Sequence, residues 1–200
     1  MSQISQKPNP SVQAQVEALT TVAKKLSGDG KEAQALEAYK TASGLMPGAP
    51  WLQHRTAELA RKLRQPEVAA LHYRRAAVAF IGAGFPKRAL APLRTAWQVS
   101  LTLLPGDASG LIAISLEMAN VQRELGFAAD AKLTLTNTNQ ALRASGSSER
   151  VPTGAEYELR PIRPTSNADG TQPPESGVKS VAPSSGASGL LSRLQAAVKL

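Results

Sequence analysis

The chain has 200 residues, 42% hydrophobic and only 4% aromatic, with no cysteine and a formal net charge of +8. That length supports one ordinary domain and a tail, and the lack of cysteine excludes a disulfide framework, a thiolate metal site and a cysteine nucleophile. Few aromatics beside abundant Ala suit closely packed helices better than a β-sandwich, so the expected fold is all-α.

The first residues, "MSQISQKPNPSVQ", lack the apolar core of a signal peptide, and no apolar run in the chain approaches a membrane span. The expectation is a cytoplasmic protein with a disordered N-terminus over 1–11. From Val12 the pattern changes. Val12, Val16, Leu19, Val22, Ala23 and Leu26 recur at steps of three and four, the stripe of an amphipathic helix with Ser11 as its N-cap.

"SGDG" at 27–30 breaks that helix, and a second, "KEAQALEAYKTASGL", runs to the prolines Pro47 and Pro50. Two further helices follow at 51–64 and 67–84, separated by Gln65 and Pro66. The next helix is expected over 86–104, then the breaker "PGDASG", a helix over 111–125 and a last one from Phe127 to Ser145. Seven short helices with short turns predict an α-solenoid of stacked hairpins over 12–145, since no single hairpin buries its own apolar face.

One pattern recurs through it. Ala35, Tyr39 and Ala42 return 34 residues later as Ala69, Tyr73 and Ala76. Each Ala is expected where two helices approach closely, and each Tyr between successive hairpins. Here the chain resembles the tetratricopeptide repeat (TPR) family, whose second helix reads A-x-x-x-F/Y-x-x-A with Gly before it and Pro after it. Gly30 and Pro47 complete the first repeat, whereas Arg64 stands at the turn Gly of the second.

Gly84, Ala89, Leu93 and Ala96 match a third setting, and Gly126, Ala131, Leu135 and Thr138 a fourth. The aromatic of the family's first helix is missing throughout. From Gly84 to Pro105 the chain runs about one helical turn longer than the pattern provides. The helix at 86–104 is therefore expected to project, and the helix before it to pack on both sides. Ala76, Ala77, Phe80, Gly84, Phe85, Arg88 and Ala89 also resemble TPR segments ahead of cyclic-nucleotide-binding domains in bacterial regulatory proteins. No such domain follows, so the resemblance implies a scaffold alone.

More than half of the residues from Ala144 to Gly189 are Pro, Gly, Ser or Thr, which predicts a disordered linker over 146–188. Within it "YELRPIRP" at 157–164 reads either as a short docking motif or as ordinary linker. At 189–200, Leu190, Leu191, Leu194 and Val198 share one face of a short amphipathic helix, which would form fully only on contact with a partner or with the solenoid.

No catalytic constellation stands out, and the expectation is a non-enzyme without metal or cofactor. His54 and His72 lie 18 residues apart with no ligand-spaced companion, and Gly82 and Gly84 follow a helix rather than a strand, reading as a helix stop instead of a phosphate loop. Nearly all the excess charge falls in 51–105, which holds nine basic and two acidic residues. Arg64, Arg74 and Arg75 read as a solvated face.

The TPR resemblance implies that first helices line a concave groove, placing His54, Glu58, Arg61 and Lys62 there in the second repeat and Lys24 in the first, beside Thr20, Ser27 and Gly28. The family's carboxylate-clamp residues are not reproduced. Arg61 and Lys62 would attract an acidic segment. The expected role is an adaptor or scaffold that holds an acidic or amphipathic segment of a protein partner. The alternatives are nucleic-acid binding by the basic 51–105 segment, which lacks interleaved aromatics, and a secretion-type chaperone.

Overall fold

The computed structural model describes residues 10–153. They form seven α-helices: α1 (Pro10–Gly28), α2 (Glu32–Leu45), α3 (Pro50–Lys62), α4 (Pro66–Gly82), α5 (Pro86–Leu101), α6 (Ala108–Glu124) and α7 (Ala128–Ala144), with no strand among the described residues. None of these helices is long and apolar enough to cross a membrane. The segment "YELRPIRP" and the C-terminal stretch with Leu190, Leu191, Leu194 and Val198 lie outside the described residues.

A single device closes most of the helices. At the ends of α1, α3, α4, α6 and α7, one residue takes positive φ: Gly30, Arg64, Gly84, Gly126 and Gly146 respectively. The next amide then reaches back five residues, as Lys31 to the Leu26 carbonyl at 2.8 Å and Gln65 to Ala60 at 2.9 Å. This is the Schellman closure, which satisfies carbonyls that the helix leaves open.

Arg64 shows that the backbone bonds enforce the turn even without glycine, at φ 57°. A side chain there costs about 1 kcal/mol, part of which glycine would return to the flexibility of the unfolded chain. Arg64→Gly is expected to stabilise the protein by about 0.5 kcal/mol, read as a higher urea midpoint; an unchanged or lower midpoint would show that the Arg64 side chain earns its place by a contact.

The tight turns define how the helices pair. α1 packs with α2, α6 with α7, and α4 packs extensively with both α3 and α5, as expected for the helix preceding the lengthened repeat. Contacts between α2 and α3 and between α5 and α6 are sparser, and these joints lack the positive-φ closure. The principal packing thus runs between chain neighbours, the one-dimensional arrangement of a helical solenoid.

Its main core is built largely from alanine. Ala35, Tyr39 and Ala42 on α2, Ala69, Tyr73 and Ala76 on α4, and Ala89, Leu93 and Ala96 on α5 are all buried, none above 3% exposure. A methyl side chain lets helix axes approach closely, and the occasional Tyr or Leu fills the remaining space. A smaller cluster of Ala119, Ala131, Leu135 and Val151 joins α6 to α7.

Three sequence expectations change. The first helix begins at Pro10, so Ser11 lies inside it and the N-terminal segment assigned to 1–11 overlaps α1; proline is well suited to a first helical position, whose amide needs no intrahelical partner. α5 ends at Leu101 and does not project, because Pro105 disfavours helical geometry at Leu104 and the extra residues fold into turns at 102–107. The breaker "PGDASG" is half helix: the Asp107 carboxylate accepts from the Gly110 amide at 2.9 Å and starts α6 at Ala108.

The end of the described chain also turns back. Asn139 on α7 donates from Nδ2 to the Val151 carbonyl at 3.0 Å and accepts from the Val151 amide at 2.9 Å. The Val151 side chain is 3% exposed. Residues 146–151, at the start of the expected linker, therefore lie along α7.

Candidate functional site

Side chains of α1, α3 and α5 line one surface together with those of α2 and α4. Between them lies an open groove of about 650 Å³, within the size range of ordinary ligand sites. Its floor is the exposed face of α3. Trp51, His54, Arg55 and Glu58 stand at i, i+3, i+4 and i+7 and all line it.

The flanks come from the neighbouring elements. Lys24 projects from α1, Tyr39 from α2, Phe80 from α4, and Arg88, Ala91 and Pro92 from α5. Trp51 is 52% exposed, an unusual situation for the largest apolar side chain. Pro92 sits inside α5; lacking an amide hydrogen, it leaves the Arg88 carbonyl without its i+4 donor.

Charge in the groove is only partly balanced. Arg55 pairs with Glu58 at 3.1 Å, and Glu58 hydrogen bonding, followed by Tyr39, holds its guanidinium above the ordinary arginine value. His54 Nδ1 lies 3.8 Å from the same carboxylate and meets the Tyr73 ring edge-on at 5.5 Å. Arg88 stacks over Phe85, 4.9 Å from the ring centroid. Among the described residues neither Lys24 nor Arg88 has a carboxylate partner.

Of the five residues expected to bind a partner, Lys24, His54 and Glu58 come together in this groove. Arg61 and Lys62 are not among its lining. Lys62 reaches Glu32 on α2, and Arg61 lies within hydrogen-bonding reach of the Tyr73 hydroxyl, whose own titration burial pushes up. Thr20 is buried and bonds back to the Glu17 carbonyl at 3.0 Å. Trp51 and Arg55 were missed although their spacing from His54 and Glu58 displays a common face; Phe80 and Arg88 carry no such local signal, since only the stacking of α4 and α5 brings them in.

Part of the basic segment is tied up in ion pairs. Arg74, read from sequence as solvated, is instead bound by Glu117 on α6: its Nε donates to Oε1 at 2.9 Å and to Oε2 at 3.0 Å, and its Nη2 to Oε1 at 2.6 Å. Its helix register on α4 faces the last hairpin, and the Glu117 side chain is only 6% exposed. The bonds to Glu117 hold the Arg74 guanidinium above its ordinary value.

His72 is equally structural. Its Nδ1 lies 2.8 Å from Gln53 Oε1, while Gln53 Nε2 donates to the Ser43 carbonyl at 3.1 Å and more weakly to that of Pro47. Since the amide nitrogen of Gln53 is occupied as a donor, its oxygen accepts and His72 Nδ1 carries the proton. This buried chain ties α2, α3 and α4 together. No family model matches the sequence, and no curated protein matches it.

Proposed function

We propose that the protein is a cytoplasmic, non-catalytic adaptor of TPR type that holds an acidic, amphipathic segment of a partner protein in the groove on α3. One observation carries the reading: an exposed Trp51 lines the groove with Phe80 and with two cations, Lys24 and Arg88, that have no carboxylate partner among the described residues. Apolar rings supply burial and the cations fix the ligand's carboxylates, the usual division of labour in a peptide groove. Three of the nine basic residues of 51–105 are engaged in the pairs Arg55 with Glu58, Lys62 with Glu32 and Arg74 with Glu117, which leaves fewer to track a phosphate backbone.

The test is fluorescence anisotropy with labelled synthetic peptides that combine Glu with Leu or Phe, beside controls in which Lys replaces each Glu. Acidic members should bind and the Lys controls should not, and the pair Lys24→Glu with Arg88→Glu should weaken capture at least tenfold, about 1.4 kcal/mol. Arg61→Glu with Lys62→Glu should change little, because both side chains are engaged elsewhere. Indifference to the Lys24 and Arg88 reversals, or preferential capture of single-stranded DNA, would remove the groove assignment.

A further inference from the structure

The groove has two cations without a carboxylate partner among the described residues, and the chain outside those residues carries a pair of carboxylates. Glu156 and Glu158 alternate with Tyr157 and Leu159, directly after the described part ends at Thr153. The remaining acids of that stretch, Asp169 and Glu175, stand singly among Pro, Gly, Ser and Asn. The final twelve residues contain Arg193 and Lys199 and no acid, so their side chains offer Lys24 and Arg88 no opposite charge.

Position agrees with charge. Val151 is fixed on α7 through Asn139, and one residue away Thr138 Oγ1 accepts from Trp97 Nε1 of α5 at 3.0 Å. Arg88 lies on that same α5 toward its N-terminus, roughly 14 Å from Trp97 along the helix axis. Residues 152–158 span up to about 24 Å when extended, longer than that offset along α5.

We propose that Glu156–Leu159 occupies the groove of its own chain and competes there with partner segments. The proposal rests on the groove being a peptide site, and it makes capture by the adaptor self-limiting. Short tethers give effective concentrations in the mM range, so a segment that binds at only ~100 μM in trans fills the groove about ten to one when attached. A partner must then displace it, and its observed affinity falls by that factor.

The experiment compares the full chain with the full-length triple variant Glu156→Lys, Tyr157→Ala, Glu158→Lys, using a labelled peptide of residues 154–164 as the probe. The variant should bind the probe about tenfold more tightly than the wild type, and its Trp51 emission should differ from the wild type's before any probe is added. Lys24→Glu with Arg88→Glu should abolish both effects. Equal probe affinity in the two chains overturns the proposal, as does failure of the probe to bind while an unrelated acidic peptide still does; the groove reading survives either result. If neither peptide binds, the groove reading falls with it. Dimers that form in the wild type and vanish in the triple variant would seat the segment on a second copy and overturn the intramolecular form.

Discussion

Glu117→Ala is expected to cost about 3 kcal/mol of stability, the low end of the range for breaking a buried ion pair by removing one partner. The loss comes less from the missing attraction than from the Arg74 guanidinium, which keeps its charge while its donors at Nε and Nη2 lose their acceptor. Arg74 retains 21% exposure, so part of that charge finds water, which sets the estimate low. Chemical denaturation should show the drop, and a domain of this size has only about 5–15 kcal/mol in total.

The companion variant separates the pair from its surroundings. Arg74→Leu with Glu117→Leu removes both charges and should recover most of the loss, because well-packed apolar side chains replace buried ion pairs at little cost. A Glu117→Ala chain within 1 kcal/mol of wild type would mean that Arg74 escapes to solvent, and that the pair does not join the middle helices to the last hairpin. The location makes the effect large: α5 and α6 pack sparsely, and the pair bridges α4 to α6 past that joint.

Local periodicity accounts for what the sequence disclosed. The apolar stripe from Val16 to Leu26 and the Ala, Tyr, Ala triplets mark faces that a helix must bury, and those residues are buried, Val22 partly. The helix ends at Gly30, Gly84 and Gly126 were visible because glycine tolerates positive φ. At Arg64 the same turn was signalled by Pro66 and the repeat pattern instead, and the backbone bonds, rather than the side chain, impose its positive φ.

Long-range partners account for the rest. Lys62 and Glu32 are thirty residues apart and Arg74 and Glu117 forty-three, so no window of helical register could distinguish these cations from solvated ones. Part of the groove was legible: His54 and Glu58 share a face of one helix and the repeat pattern set Lys24 beside them, whereas Phe80 and Arg88 join them only once α4 and α5 have stacked on α3. Burial likewise separates the two histidines. His54 faces the groove, and His72 is enclosed at 4% exposure.

That enclosure should make the fold acid-sensitive over a defined interval. Burial first, then the nearby charges of Arg75 and Lys40, lower the His72 pKa to about 4, against 6.5 in the unfolded chain. As pH falls below 6.5 the unfolded chain takes a proton that the native chain refuses until about pH 4, so stability declines across that interval and then levels off. The total is about 3 kcal/mol, and the slope approaches 1.4 kcal/mol per pH unit. Between pH 6.5 and 5 the decline stands largely clear of ordinary carboxylate titration. His72→Gln should flatten this part of the profile whatever its effect on absolute stability. An equal slope in His72→Gln and wild type would show that His72 is protonated in the native protein, with its Nε2–H satisfied, and would undo the assignment of a neutral imidazole donating to Gln53.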